Sequence, residues 1–352
     1  MNLFMINKPK IIELADKNGR ISTRELSVQF GVSRQYVNQL ISGLIQDKKI
    51  IKIGGTRSAF YISTSYAKAH PDILPTIFRK KYRNTGLEEH RVLMEIEEKF
   101  PRVSSLPENV RSIFTFAFSE MFNNAIEHSQ SKVIGVEVAL RDNKLSFIVE
   151  DSGVGVFRNI MKKKGLRSEI EAIQDLLKGK TTTLPKSHSG EGIFFTSKAA
   201  ELFILNSFGY QLAITPKNVG IKHASIIKRG TRVIFEIEAN STRHLADVFK
   251  QYTNLADTGN YGFDKTEIRV KLYTMDGVHI SRSQARRILS GLEKFKIILL
   301  DFEDVPVVGQ AFADEIYRVF QNSHPSIEIK EENMSEGVRF MVERAKNEAK
   351  KR

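Results

Sequence analysis

The sequence predicts a multidomain α+β chain: a small helical domain closed by a basic hairpin, a larger domain of mixed helices and strands, and a small α/β unit. Three observations predict it. Residues 8–62 carry three helix starts with apolar residues at 3.6-residue spacing, then two short β-type runs. The middle opens with a two-faced helix around Phe118–His128 and continues with strand-like runs and glycine-rich turns. Residues 264–345 alternate strand and helix patterns, the order of a small α/β sandwich.

Length and charge agree with this partition. At 352 residues, two or three domains are expected. There is no cysteine, which excludes disulfides, thiol catalysis and cysteine-ligated metal and fits a reducing cytoplasm. No apolar run reaches membrane-spanning length, so no membrane partner is expected. The formal net charge is +13, and residues 1–83 hold 15 Lys/Arg against 5 Asp/Glu. That bias points the N-terminal end toward nucleic acid.

In the first domain, 1–65, Ile11, Ile12 and Leu14 begin a helix closed by Asn18-Gly19. Ser22-Thr23-Arg24-Glu25 reads as a capping box for a second helix. Gly31-Val32 makes a turn, and Ser33 caps a third helix with Val37, Leu40, Ile41 and Leu44 on one face. Its other face presents Arg34, Gln35, Tyr36, Asn38, Gln39 and Ser42, side chains able to reach phosphates and base edges. Ile50–Ile53 and Ser58–Ile62 then read as a hairpin with Arg57 at its tip. Three helices and a basic hairpin resemble the winged helix-turn-helix of bacterial repressors, which implies double-stranded DNA as partner. The alternative is a winged helix used for protein contacts.

Residues 66–106 read as a helical linker, broken by His70-Pro71 and Leu74-Pro75, with a charged helix over Gly86–Phe100 that connects or dimerises. His90 lies on that helix and reads as a surface histidine.

The central domain is expected over 107–251. In its opening helix Glu120, Asn124 and Glu127 share one face with His128 at the margin, while Phe114, Phe118, Met121, Phe122 and Ala125 form the other. Strand-like runs follow at Val133–Leu140 and Lys144–Val149, then Asp151-Ser152-Gly153-Val154-Gly155. A polar stretch to Ser189 includes a short helix, Glu169–Leu177. Gly190-Glu191-Gly192 opens a further helix, and Leu202–Asn206, Gln211–Thr215 and Thr231–Ile237 read as closing strands.

Four pieces in order, Glu120-x-x-x-Asn124-Ala125, Asp151-x-Gly153-x-Gly155, Gly190-x-Gly192 and Gly230-Thr231, resemble the nucleotide-binding boxes of the GHKL superfamily, whose fold is the Bergerat-type α/β sandwich. The Glu-x-x-x-Asn-Ala-x-x-His form is most similar to bacterial anti-sigma-factor serine kinases. The resemblance implies ATP and Mg2+ as cofactors. Asp151 would accept from the adenine amino group, with Thr231 assisting through it. Gly153 and Gly155 would let backbone approach the nucleotide. Gly190 and Gly192 would free helix N–H groups for phosphate. Asn124 would offer a neutral oxygen to magnesium, and Glu120 would take a proton from the nucleophile. Residues 156–189 would form a mobile lid. Two readings stay open for several members: Glu120 as magnesium orienter or plain helix acid, His128 as phosphate ligand or packing residue, Lys178 and Lys180 as solvated lid charges or γ-phosphate contacts.

After a polar linker, 252–263, the last unit, 264–352, carries Ile298–Val305 followed by a helix with Phe312-Ala313-Asp314-Glu315. This resembles the STAS-type fold of anti-sigma-factor antagonists, and more closely a STAS-like domain fused to bacterial ATP-binding regulators. The turn where those antagonists carry a phosphoaccepting serine reads Pro306-Val307-Val308-Gly309-Gln310-Ala311, without a hydroxyl, and Ser281 reads as a helix cap. The unit is therefore expected to bind an unidentified protein partner or sense a signal.

The function these readings imply is a cytoplasmic, ATP-dependent DNA-binding regulator, possible as a homodimer. The alternatives are a serine/threonine kinase acting on a separate partner and an ATPase component of a DNA-associated complex. Whether ATP is hydrolysed, transferred or only sensed stays open.

Overall fold

The computed structural model describes residues 6–55, 59–180, 191–224, 227–255, 261–273 and 279–350. Near the N-terminus, helix α1 (Lys8–Asn18) starts where the Asn7 side chain accepts from Lys10 N at 2.9 Å and stops at left-handed Gly19. Helix α2 (Thr23–Phe30) has the expected capping box, Ser22 and Glu25 bonding reciprocally. Helix α3 (Arg34–Gln46) is capped by Ser33 and buries Val37, Ile41 and Leu44. Strands β1 (Ile50–Ile53) and β2 (Phe60–Ser63) pair antiparallel, Ile50 opposite Ser63. A backbone bridge from Ile21 to Tyr61 binds this hairpin to the helices. Helix α4 (Thr64–Ala69) packs behind it, with Ala67 and Leu74 buried beside Ile62.

The segment 66–106 is more than a linker. It supplies strand β3 (Ile77–Arg83), paired along its length with the central sheet, and helix α5 (Glu89–Lys99), whose Val92 and Ile96 enter the same core. The reason is visible in β3: Phe78 and Tyr82 are buried, whereas Arg79, Lys80 and Lys81 face solvent, as suits a sheet edge.

Helix α6 (Glu108–His128) is the spine of the central domain. Strands β4 (Val133–Arg141) and β5 (Lys144–Asp151) form a hairpin after it, and helices α7 (Val156–Lys164), α8 (Glu169–Leu177) and α9 (Gly192–Ala199) follow. Strands β6 (Leu202–Ser207), β7 (Tyr210–Ile214), β8 (Val219–His223) and β9 (Thr231–Glu238) complete a seven-stranded antiparallel sheet in the order β3-β4-β5-β9-β6-β7-β8. Phe114, Phe118 and Phe122, one helical turn apart, stack along α6 at 5.8 and 5.3 Å. Phe147 on β5 meets Phe114 and Phe118 edge-on and stacks on Phe235 of β9 at 4.9 Å. The helix is thus fixed over the two central strands. Residues 156–177, expected within a mobile lid, form two helices that bury Phe157, Ile160, Ala172, Ile173 and Leu176.

Helix α10 (Leu245–Tyr252) precedes a short backbone pair, β10 (Asn254–Leu255) with β11 (Tyr261–Gly262). Asp257, Thr258, Gly259 and Asn260 of the expected linker lie outside the described residues. The last unit is a parallel sheet, β12 (Lys265–Arg269), β13 (Ile297–Asp301) and β14 (Glu328–Glu332), in that order. Helix α11 (Arg282–Leu289) crosses from β12 to β13. The second crossover runs through α12 (Gln310–Asp314), a π-helical stretch Glu315–Phe320 and α13 (Gln321–Ser323), and α14 (Glu336–Lys350) closes the chain. Ser281 caps α11 in a full capping box with Gln284, the helix-cap role its sequence suggests. Among the described residues no helix is long and apolar enough to cross a membrane.

Candidate functional site

The C-terminal end of α6 abuts the turn that follows β5. Val154 N donates to Ser129 O at 2.8 Å, and a Cβ on Gly153 would lie 1.7 Å from that same oxygen. Only glycine fits there. Within the turn, Asp151 is buried, and its Oδ1 accepts from Gly153 N at 2.8 Å and Thr231 N at 3.3 Å. Burial pushes the Asp151 carboxyl above its ordinary value, opposed by those two N–H donors and by Lys228. Thr231 Oγ1 accepts from Val156 N at 3.0 Å and so joins β9 to the first turn of α7. Gly155, at φ 79°, begins that helix against Phe208. Asp151, Gly153, Gly155 and Thr231, separated by up to eighty residues in the chain, are one cluster in space.

Glu120 lies nine residues earlier on α6 than Ser129, roughly 14 Å along the axis at 1.5 Å per residue. Its Oε2 lies 1.9 Å from where a Cβ on Gly192 would stand, so the carboxylate rests against the N-terminal end of α9. The first N–H groups of a helix have no partner within the helix, and that end is its positive pole, so an anion is favoured there. Asn124, between Glu120 and His128 on α6, is half-buried, and its side chain makes no hydrogen bond among the described residues. His128 is half-buried at the last turn. Gly190 lies outside the described residues.

On the outer side of the 151–155 turn is an open cavity of about 620 Å³, bordered by Gln130, Gly153, Val154, Arg158, Phe208 and Arg229. The Arg158 guanidinium lies 3.7 Å over the Phe208 ring and bonds Glu169 at 3.0 Å. Neither Glu120 nor Asn124 lines this cavity. Sequence reasoning did not single out Arg158, Phe208 and Arg229, which come from three separate elements and carry no common spacing. Among the described residues no cluster of His, Asp and Glu is arranged to hold a metal ion by itself. A magnesium ion here would depend on a ligand's phosphates, with Asn124 as a neutral donor.

At the N-terminal domain, Arg34, Gln35, Tyr36, Asn38, Gln39 and Ser42 all stand on the exposed face of α3. Asn38 Oδ1 also accepts from Thr23 Oγ1 at 3.0 Å, which fixes α3 against α2. Arg57 lies outside the described residues. His90 is exposed, 3.7 Å from Glu88.

Residues 6–51 match a family model described as winged helix-turn-helix DNA-binding, and residues 284–339 match one described as a STAS-like domain of unknown function. Neither match reaches the central sheet. No curated protein matches the chain. The chain is thus a mixed α+β protein with a winged helix-turn-helix at one end and a STAS-like domain at the other, and the former suggests a DNA-binding regulator.

Proposed function

We propose that the central domain is a GHKL-type nucleotide site and that the chain is a transcription regulator whose DNA affinity depends on Mg-ATP. One observation carries this reading. The Asp151 cluster abuts the C-terminal end of α6 and the Glu120–Gly192 contact lies about two and a half turns earlier on the same helix, with Asn124 between them in the chain. A base-recognising acceptor at one station and a helix N-terminus at the other match a ligand with a purine at one end and phosphates at the other. In this reading Asn124 would hold magnesium as a neutral oxygen donor, and Glu120 would accept a proton from the nucleophile that attacks the γ-phosphate.

The switch requires that nucleotide bind two arrangements of the chain unequally, since a ligand with equal affinity for both shifts nothing. Calorimetric titration with ATP and ADP in magnesium tests the site, with Asp151→Ala as the control that loses binding. Anisotropy with a labelled duplex, with and without saturating ATP, tests the switch. Binding retained in Asp151→Ala removes the site assignment, and equal DNA affinity in both conditions removes the regulation. Phosphate release in the same samples separates hydrolysis from sensing.

A further inference from the structure

The STAS-like unit is joined to the central domain by a partly buried chain of charges that begins on α9 and ends on the buried Asp301. Lys198, in the last turn of α9, meets Glu267 of β12 at 3.3 Å. Arg269, two residues along β12, lies between two carboxylates: its Nε is 3.7 Å from Glu267 and 3.8 Å from Asp301, the last residue of β13. Asp301 in turn accepts from Asn333 Nδ2 at 2.9 Å, just beyond β14, and from Glu303 N at 3.0 Å. The network therefore runs from α9 to the C-terminal edge of the parallel sheet, where ligands of open α/β sheets bind.

Two features distinguish this from simple interdomain packing. Arg269 holds neither carboxylate closely, and its Nη1 donates to Lys217 O at 3.2 Å, so a pivot about that bond that brings Nε toward one carboxylate strengthens that pair at the expense of the other. Glu267 is shared by Lys198 and Arg269, so tightening its bond to Arg269 loosens its hold on α9. A cavity of about 30 Å³, bordered by Phe194, Lys198, Glu267, Arg269 and Leu272, leaves room for the shift. Helix α9 is eight residues long, with Lys198 in its last turn and Gly192, against Glu120, at its start. A displacement at one end of so short a helix is felt at the other.

We propose that Arg269 is a relay: a change at the Asp301 edge of the STAS-like sheet repositions α9 through Glu267 and Lys198, and so alters the Glu120–Gly192 contact. The consequence for nucleotide rests on the site reading given above; the movement of α9 does not.

Hydrogen exchange on the full chain tests the relay without any ligand. Asp301→Asn keeps an acceptor for Glu303 N and removes the charge that draws Arg269 away from Glu267. Amides of 192–199 should exchange at least threefold faster in this variant, and Lys198→Met should speed exchange at 301–305 in return. Arg269→Met, in a background of Asp301→Asn, should bring 192–199 back toward the wild-type rate. Changes confined to 297–335 in Asp301→Asn overturn the relay, as does failure of Arg269→Met to reverse the effect. Global destabilisation is recognised by faster exchange throughout β5 and β9. Adding Mg-ATP then asks a separate question. Protection of 151–155 that is weaker in Asp301→Asn extends the relay to the nucleotide site. No protection in any variant removes the site reading, and the ligand-free exchange rates alone then decide the relay.

Discussion

Asp151 separates what the fold needs from what the proposed ligand needs. The fold uses one oxygen, which accepts from Gly153 N and Thr231 N. Asn supplies that oxygen equally well but presents a donor where the carboxylate had a second acceptor. Because burial holds the Asp151 carboxyl above its ordinary value, the ionised group is a cost to the folded state. Its favourable contribution is complete below the unfolded value and is lost as pH rises through the folded one. Asp151→Asn should therefore match or exceed the wild-type urea midpoint at pH 7 while losing at least tenfold in ATP affinity. A variant that unfolds more readily, or binds ATP as the wild type does, contradicts this division of labour. The motif residues themselves were legible, because Gly153 and Gly192 are required by close approaches that leave a trace in sequence. Arg158 and Arg229 were not, since nothing in their spacing marks that α7 and the β8–β9 connection bring them to one cavity.

Among the elements, those with a strong period were readable and those at edges were not. Helix α3 shows Val37, Ile41 and Leu44 on one face in sequence and in structure. Strand β3 buries only Phe78 and Tyr82 of its seven residues, and helix α10 only Val248 and Tyr252 of its eight, so neither announces itself. The face of α3 that is not buried gives a direct prediction. Arg34→Ala should weaken binding to duplex DNA and flatten the slope of log affinity against log salt by about one, the loss of one phosphate contact. Anisotropy titrations at several salt concentrations measure it; an unchanged slope places Arg34 off the DNA.

Lys178, just past α8, offers a pH test of how elements are joined. It is buried, and its Nζ donates at 2.8 Å to both Arg287 O and Ser290 O, carbonyls at the C-terminal end of α11. A cation suits that end of a helix. Burial nevertheless pushes the ammonium down to about 8, with Asp175 and Glu293 opposing and Lys164 and Lys294 adding to the effect. Folding thus favours the neutral form, and the stability linked to this group is present above the unfolded value and lost as pH falls through about 8. At about 1.4 kcal/mol per pH unit the contribution is roughly 3 kcal/mol. Thermal stability should rise between pH 8 and 9.5, below the range where Tyr82, Tyr252 and Tyr273 reverse the trend. Lys178→Met should reduce that rise, to which Lys198 and Lys294, also held below their ordinary values by burial, add with the same sign; an equally steep rise in the variant assigns it to those groups instead.

At the scale of the whole molecule, the core is divided differently from the sequence motifs. Three units are readable in the sequence, yet the structure has one continuous apolar core from Phe78 to Ala345, and separate smaller clusters between Ile6 and Leu74. The join between the central and STAS-like units is aromatic: Phe263 lies 4.7 Å from Phe194, 4.9 Å from Phe195 and 5.3 Å from Phe295. Elements that share a core of this kind lose their packing together, so the central and STAS-like units should unfold as one cooperative block and the winged helix as another. At about 0.7 kcal/mol per residue, the smaller transition should carry roughly 50 kcal/mol and the larger roughly 190 kcal/mol. Differential scanning calorimetry resolves them by enthalpy even where their midpoints overlap. Phe263→Ala, which removes the ring at the centre of the join, should destabilise the larger transition by about 3–5 kcal/mol and leave the smaller one in place. Three independent transitions in the wild type would mean that the aromatic join does not couple the two units, and the relay through Arg269 would then have to act across an interface that opens on its own.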